Sequence, residues 1–173
     1  TLTEAEAIDQ FQQLLRTSVQ RRLRSDVELG TSLSGGLDSS SIAATINQLQ
    51  TKNHQLQTFT ASFPGFEKDE TAYAKEVANY LQLQQHFVTP TAETLLSDIE
   101  QLIFHQEEPF QSASIYAQYK VYQLAKQNGI KVILDGQGAD ETLAGYHKYL
   151  HWFLQEKVKG GRYKAEAEAF ARN

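Results

Sequence analysis

Two short stretches hold most of the side chains in this sequence that could do chemistry. The first is Ser34-Gly35-Gly36-Leu37-Asp38-Ser39, followed directly by Ser40. Its glycines allow close backbone approach and unusual dihedrals. Its hydroxyls donate hydrogen bonds, and a helix starting behind it would offer free N–H groups and a positive dipole end. Together these make an anion cradle. Asp38 is the discordant member, because a carboxylate repels phosphate. It makes sense when Mg²⁺ stands between them, since that ion bridges one or two carboxylates and substrate phosphates. The second stretch is Asp135-Gly136-Gln137-Gly138-Ala139-Asp140-Glu141. There Gly136 and Gly138 let the backbone approach a nucleotide, while Asp140 and Glu141 offer carboxylates for a second metal contact or for an amino group. Asp38 and Asp140 are therefore the candidate metal ligands. The first stretch is not a Walker A loop, because no Lys follows, and it is not the dinucleotide G-x-G-x-x-G. Plain structural readings stand beside these: Asp38 as the N-cap of an ordinary strand–turn–helix corner, Asp140 as a helix cap, Glu141 as a solvated first-turn acid.

The elements around the two stretches are legible from spacing. Thr3 and Glu6 form a capping-box pattern, and Ile8, Phe11, Leu15, Val19 and Leu23 recur at helical intervals behind it. Arg16, Arg21, Arg22 and Arg24 fall late in that helix, where cations complement the dipole. Residues 27–33 read as a short buried strand leading into the first stretch, and a helix of small residues follows over 39–49. A second strand spans 56–63 and stops at Pro64-Gly65. The next helix covers 70–81, with Tyr73, Val77 and Leu81 on one stripe. His86-Phe87-Val88 is a third strand. Leu95, Ile99, Leu102 and Ile103 mark another helix, 107–110 a loop, and 115–127 a helix with Gly129 as its stop. Residues 131–134 form a fourth strand that opens into the second stretch, and helices fill the rest. Strands alternating with helices predict an α/β fold: a doubly wound parallel sheet in three layers, with helices on both faces. Ligands of such sheets bind beyond the carboxyl ends of the strands at a switch point. Both glycine-rich stretches sit at strand carboxyl ends, so one crevice is expected to receive both.

Composition narrows the function classes. The chain has 173 residues, 40% of them apolar and 21% charged, and a net charge of −5. That suits one domain and supplies no general polyanion-binding surface, so nucleic acid is not an expected partner. No apolar run nears the roughly 20 residues of a membrane helix, and no membrane partner is expected. Cysteine is absent, which excludes disulfides and thiolate metal sites. A cytoplasmic location is the default. Methionine is absent as well, and the final residues run on in a helical pattern without a cap, so the chain reads as a fragment of a longer protein.

Ser34–Ser39 resembles the pyrophosphate loop of the ATP pyrophosphatase (N-type) superfamily, whose members cleave ATP between the α and β phosphates and adenylate their substrates. Leu134-Asp135-Gly136-Gln137-Gly138-Ala139-Asp140-Glu141-Thr142-Leu143-Ala144-Gly145-Tyr146 is similar to the D/S-G-x-G-x-D-E-x-x-x-G-Y segment of the asparagine synthetase family. The two motifs stand in order about a hundred residues apart. The likeness extends to Asp69-Glu70-x-x-Tyr73-Ala74 and Glu108-Pro109-Phe110. It implies an adenine nucleotide alpha hydrolase-like fold, with ATP and Mg²⁺ as cofactors. The activity implied is adenylation of a carboxylate, then amidation by glutamine-derived ammonia, with aspartate converted to asparagine. The nucleotide site would comprise Ser32, Leu33, Ser34, Gly35, Gly36, Asp38, Ser39, Ser40, Ala61, Asp135 and Gly136. The acceptor side would comprise Gln137, Gly138, Asp140, Glu141 and Glu108, with Asp38, Asp140 and Gln137 as the catalytic set. The implied partners are ATP, the carboxylate and ammonia, an N-terminal glutaminase domain of the same protein, and, within the range of the resemblance, a second copy in a homodimer. That glutaminase domain and a C-terminal remainder bearing a catalytic Lys fall outside this chain, which is expected not to be competent alone.

Two departures from the family pattern bear on the acceptor. Gln137 stands where the best-known members have Glu, and residues 107–116 contain no Arg to pair an α-carboxylate. Both point toward a different carboxylate, such as a sugar acid or a modified peptide, while the family resemblance points to aspartate. A nucleotide-binding module without catalysis is the alternative of another class, and the intact Ser34, Asp38, Asp140 set argues against it. A tRNA-thiolating or NAD-synthesising relative is disfavoured by the second stretch. Among lesser candidates, His147 and His151 at i, i+4 read as a solvated face rather than a metal site, and His86 as a satisfied structural histidine. Tyr116, Tyr119 and Tyr122 read as core packing, with Tyr116 the one that could reach the crevice.

Overall fold

The computed structural model describes residues 2–50 and 55–159. They fall into two compact units that divide between Asp135 and Gly136. The first is built on a four-stranded sheet of β1 (Leu29–Ser32), β2 (Gln57–Ala61), β3 (Gln84–Val88) and β4 (Val132–Leu134). All neighbours are parallel, in the order β3-β2-β1-β4. β1, β2 and β4 are shorter than the runs that predict them, whereas β3 begins two residues earlier, at Gln84. Val27, for example, lies outside β1 and is exposed.

Five helices connect and cover these strands: α1 (Glu4–Arg22), α2 (Leu37–Leu49), α3 (Thr71–Leu81), α4 (Ala92–Gln106) and α5 (Ala113–Gln127). α1 opens with the expected capping box, in which Thr3 and Glu6 satisfy each other's backbone. Its apolar stripe is only half used. Leu15, Val19 and Leu23 join the core, whereas Ile8 and Phe11 are exposed. On one side of the sheet, Val19, Ala43, Ile46, Ala74 and Ala78 pack with Leu33 and Leu56. On the other, Val121 and Ala125 of α5 pack with Phe59 and Ile130. The architecture is thus three layers of α/β/α, as the alternation of elements predicts. One stripe needs correction. α3 buries Thr71, Ala74 and Ala78 and leaves Tyr73 outside, while Val77 and Leu81 of the predicted stripe pack against the edge of the core.

The second unit contains α6 (Ala139–Leu143) and α7 (His147–Lys159). Gly138, at φ +91°, is the N-cap of α6. On α7, His151 Nε2 lies 2.8 Å from Gln155 of the same helix, and both His147 and His151 are exposed.

His86 is satisfied within the sheet, as its position suggests. Its ring donates from Nε2 to Gln57 Oε1 at 2.9 Å and stacks on Phe59 at 5.0 Å between centroids. Burial pushes its pKa below the ordinary 6.5. The folded state therefore favours the neutral ring, while the unfolded chain protonates near the ordinary value. The stability tied to this ring is complete above 6.5 and is lost as pH falls below it. We expect the urea midpoint to decline as pH drops from about 7.5 towards 5, and to decline less in His86→Gln. Equal declines in the two proteins would contradict this assignment.

Candidate active site

The chain leaves β1 at Ser32 and enters α2 at Leu37, so the first glycine-rich stretch is a tight loop at a strand's carboxyl end. The loop is knit by its own hydroxyls. The buried Ser39 Oγ accepts from Ser34 N–H at 3.2 Å, lies 3.1 Å from Ser34 Oγ and donates to the Gly36 carbonyl at 3.3 Å. Ser34 Oγ in turn accepts from Gly36 N–H at 3.2 Å. The N-cap of α2 is Gly36, which has no side chain to bond the first-turn amides. Asp38 is therefore not the N-cap, and that structural reading of it falls. It stands inside the first turn, half-buried, and accepts no hydrogen bond from another described residue. Ser40 Oγ is buried without a partner among the described residues.

The two loop glycines do different work. Gly35 has φ +89°, and a Cβ there would run into the backbone nitrogen of Ala74 and come within 2.6 Å of Tyr73 Cβ. The loop thus rests on the main chain of α3. At Gly36 a Cβ would meet only Ser34 Oγ, at 3.3 Å. What seats α3 beneath the loop is Asp69, part of the Asp69–Ala74 stretch. Its Oδ1 accepts from Phe63 N–H at 3.1 Å, Thr71 N–H at 3.3 Å and the Thr71 hydroxyl at 2.6 Å. The Thr71 hydroxyl is the main reason its pKa lies below the usual carboxylate value.

β1 and β4 are neighbours, and their last registered pair is Thr31 with Leu134. The chain runs from β1 to β2 to β3 on one side and returns to place β4 on the other, which puts the switch point between β1 and β4. Beyond the last pair, Ser32 Oγ donates to Asp135 Oδ1 at 2.8 Å. The other carboxylate oxygen accepts from the Tyr122 hydroxyl at 3.0 Å and, more weakly, from Gln118 Nε2 at 3.4 Å. Burial, then the nearby Asp135 charge, raises the Tyr122 pKa. Tyr122 is the tyrosine of α5 that meets Asp135. Tyr116 is buried and donates to Asp98 at 2.9 Å, beside the Lys120–Asp98 ion pair. Spacing alone gave no sign that Gln118 and Tyr122 meet Asp135. The sole hint is that polar groups one turn apart on a helix share a face.

Of the predicted nucleotide-site residues, Ser32, Leu33, Ala61 and Asp135 therefore stand along the carboxyl edge of β2, β1 and β4, with residues 34–40 beside them. Gly136, Gln137, Gly138, Asp140 and Glu141 belong to the second unit. There Glu141 accepts from the Tyr146 hydroxyl at 2.9 Å, the Gly145 N–H donates to the Asp140 carbonyl at 3.0 Å, and Asp140, like Glu141, lies in the first turn of α6 rather than at its cap. Glu108 is exposed in the loop after α4 and has no hydrogen-bond partner among the described residues. No group of three or more His, Cys, Asp or Glu side chains converges among the described residues. The uncommitted Asp38 beside an uncapped helix start suits Mg²⁺, which takes one or two carboxylates and keeps several waters.

The sheet order and the crevice at its switch point define a class, the adenine nucleotide alpha hydrolase-like fold. An NH3-dependent NAD synthetase from Campylobacter jejuni has a TM-score of 0.52 over 80% of this chain and 60% of its own, at 16% identity. Within that class a family model for asparagine synthase matches residues 10–172. The chain belongs to the asparagine synthase family. It is 34% identical to asparagine synthetase B [glutamine-hydrolyzing] of Escherichia coli over 83% of its length, and 31% identical to amidase chyE of Penicillium rubens over 89%. It spans 28% and 25% of those two relatives.

The geometry of the two loop glycines sets a test. Gly35→Ala is expected to destabilise the domain by about 1–3 kcal/mol, the cost of strained backbone held in place, with displacement of α3. Gly36→Ala is expected to cost about 1 kcal/mol or less. Chemical denaturation of both variants checks the difference, and equal losses would contradict the resting of Gly35 on α3.

Proposed function

We propose that this domain binds ATP, adenylates a carboxylate with release of pyrophosphate, and supports amidation of the product by glutamine-derived ammonia, with aspartate as the acceptor its family favours. The observation that carries this is the uncapped start of α2 behind a rigid glycine-rich loop at the switch point. Phosphates fit at residues 34–40, where first-turn amides and the helix dipole favour negative charge. The adenine fits along Ser32, Leu33, Ala61, Asp135 and Gly136. Asp38 and Asp140 would hold Mg²⁺, which when bound offsets charge on the phosphates. Gln137, Gly138, Asp140, Glu141 and Glu108 face the acceptor in this reading.

The reaction balances in two steps. A carboxylate oxygen of the acceptor attacks the α-phosphorus, a new P–O bond forms, and the α–β bridge breaks to release pyrophosphate. Ammonia then attacks the acyl carbon, loses a proton, and AMP leaves with the bonding pair. The amides of α2 stabilise the departing charge in the first step. A glutaminase domain elsewhere in the same protein is the source of ammonia, which agrees with the glutamine-hydrolyzing relative being longer than this chain. A second reading keeps the chemistry and changes the acceptor. It is favoured by the uncharged Gln137, by the absence of Arg from residues 107–116, and by a relative named as an amidase.

Two measurements follow. In the full-length protein, Asp38→Asn keeps the side chain's shape and removes the anionic ligand, so pyrophosphate release is expected to vanish while glutamine hydrolysis persists. Normal release by this variant would sink the metal role. A pyrophosphate-release assay across a panel of carboxylates separates the two acceptors. Weak or no turnover with aspartate and turnover with a sugar acid or modified peptide is the outcome the Gln137 and Arg departures favour. Turnover on aspartate alone at about 1 per second or more would make the acceptor the ordinary one.

A further inference from the structure

We propose that Tyr122 and Gln118 are positioning residues for the nucleotide site: acting through Asp135, they fix the nucleoside end of the crevice between β1 and β4. This rests on the reading of ATP as the ligand. The Asp135 carboxylate is held from two elements at once. β1 supplies the Ser32 hydroxyl on Oδ1 at 2.8 Å, and α5 supplies the Tyr122 hydroxyl on Oδ2 at 3.0 Å. Gln118 Nε2 donates to the Tyr122 oxygen at 2.7 Å, which leaves the phenolic hydrogen directed at Asp135, and it adds its own contact to Oδ2 at 3.4 Å. Hydrogen bonds to an ionised carboxylate are stronger than neutral ones and fix direction as well as distance. Among the described residues the Tyr122 hydroxyl bonds Gln118 and Asp135 and no residue of the phosphate loop, so its influence there runs through Asp135.

The position of this clamp decides what it would affect. Asp135 follows β4 directly at the switch point, and the Gly136–Glu141 stretch departs from it. Ser32 belongs to the strand that ends at the phosphate loop. A carboxylate is poorly placed beside phosphates but suits the nucleoside, whose sugar hydroxyls and exocyclic amine are donors that meet an acceptor-only group. Losing the phenolic hydroxyl loosens the α5 side of this hold while Ser32 keeps the β1 side, and the cost falls on nucleoside affinity, not on the phosphate loop.

The test uses the full-length protein with ATP plus Mg²⁺, and separately AMP, in equilibrium binding. Tyr122→Phe keeps the ring and removes the hydroxyl. It is expected to weaken ATP and AMP alike by up to about tenfold, because Asp135 is less well oriented towards the nucleoside, and to lower the thermal midpoint by a few degrees, about what the loss of one intramolecular hydrogen bond costs. Gln118→Leu is expected to act in the same direction with a smaller effect. In an Asp135→Ala background, Tyr122→Phe is expected to add less than about a further twofold, because residues acting through one group are not additive. Unchanged affinity in Tyr122→Phe overturns the inference. So does a loss that multiplies fully with Asp135→Ala, since that shows Tyr122 acting on the site by some route other than Asp135. If the unaltered protein binds neither ATP nor AMP, the ATP reading fails and this inference fails with it.

Discussion

The pairing of β1 with β4 is the contact on which the candidate site depends. These strands are about a hundred residues apart in sequence, yet they lie side by side with Leu29, Gly30 and Thr31 opposite Val132, Ile133 and Leu134. The Thr31 hydroxyl adds a bond to the Leu134 carbonyl at 2.7 Å. Parallel strands need long crossovers, so this register is reached only after the chain has laid down β2 and β3 on one side and returned through α4 and α5. The return leaves β1 with a neighbour from each half of the chain. Beyond the last β1–β4 pair stand Ser32 and Asp135, and a slip of one residue would separate them.

The glycine-rich loop shows how rigidity and openness are divided among adjacent residues. Ser39 is spent inward, bonding the Ser34 amide and the Gly36 carbonyl, so the loop's shape is settled without a ligand. Gly36 leaves the start of α2 without a side-chain cap. An anion arriving there finds donors that need little reorganisation, which is what preorganised electrostatic stabilisation requires. Asp38, which accepts no hydrogen bond from another described residue, is in the proposed reading the carboxylate that a cation would offset beside the phosphates.

The sequence made the layers, the sheet class and the motif-bearing loop legible because each rests on local signals: alternation of elements, hydrophobic period, glycines after a strand. The capping box of α1 was legible for the same reason, whereas the corresponding Thr91–Thr94 arrangement at α4 lacks the acidic partner that marks the pattern. Tertiary fit accounts for what was missed. The α3 stripe was read through its large residues, but the sheet accepts Ala74 and Ala78, so Tyr73 faces out. The tyrosines of α5 were read by spacing, which cannot say that one face meets Asp98 and another Asp135. Asp69 belonged to a recognised stretch, but its work as the clamp on the start of α3 depends on a return of the chain to Phe63 that no period encodes.

The support under the phosphate loop is main chain, and this has a consequence for how the protein tolerates sequence change. Gly35 leans on the backbone of α3 at Tyr73 and Ala74 rather than on a particular side-chain tip. Other exposed residues of that helix, Ala72 and Glu76 among them, can vary for surface reasons without touching this contact. Ala74 and Ala78 have no such latitude, because a bulkier side chain there lifts the helix and the platform moves with it. Mutational drift in α3 is in this way sorted by face, and the geometry of the anion cradle is buffered against most of it.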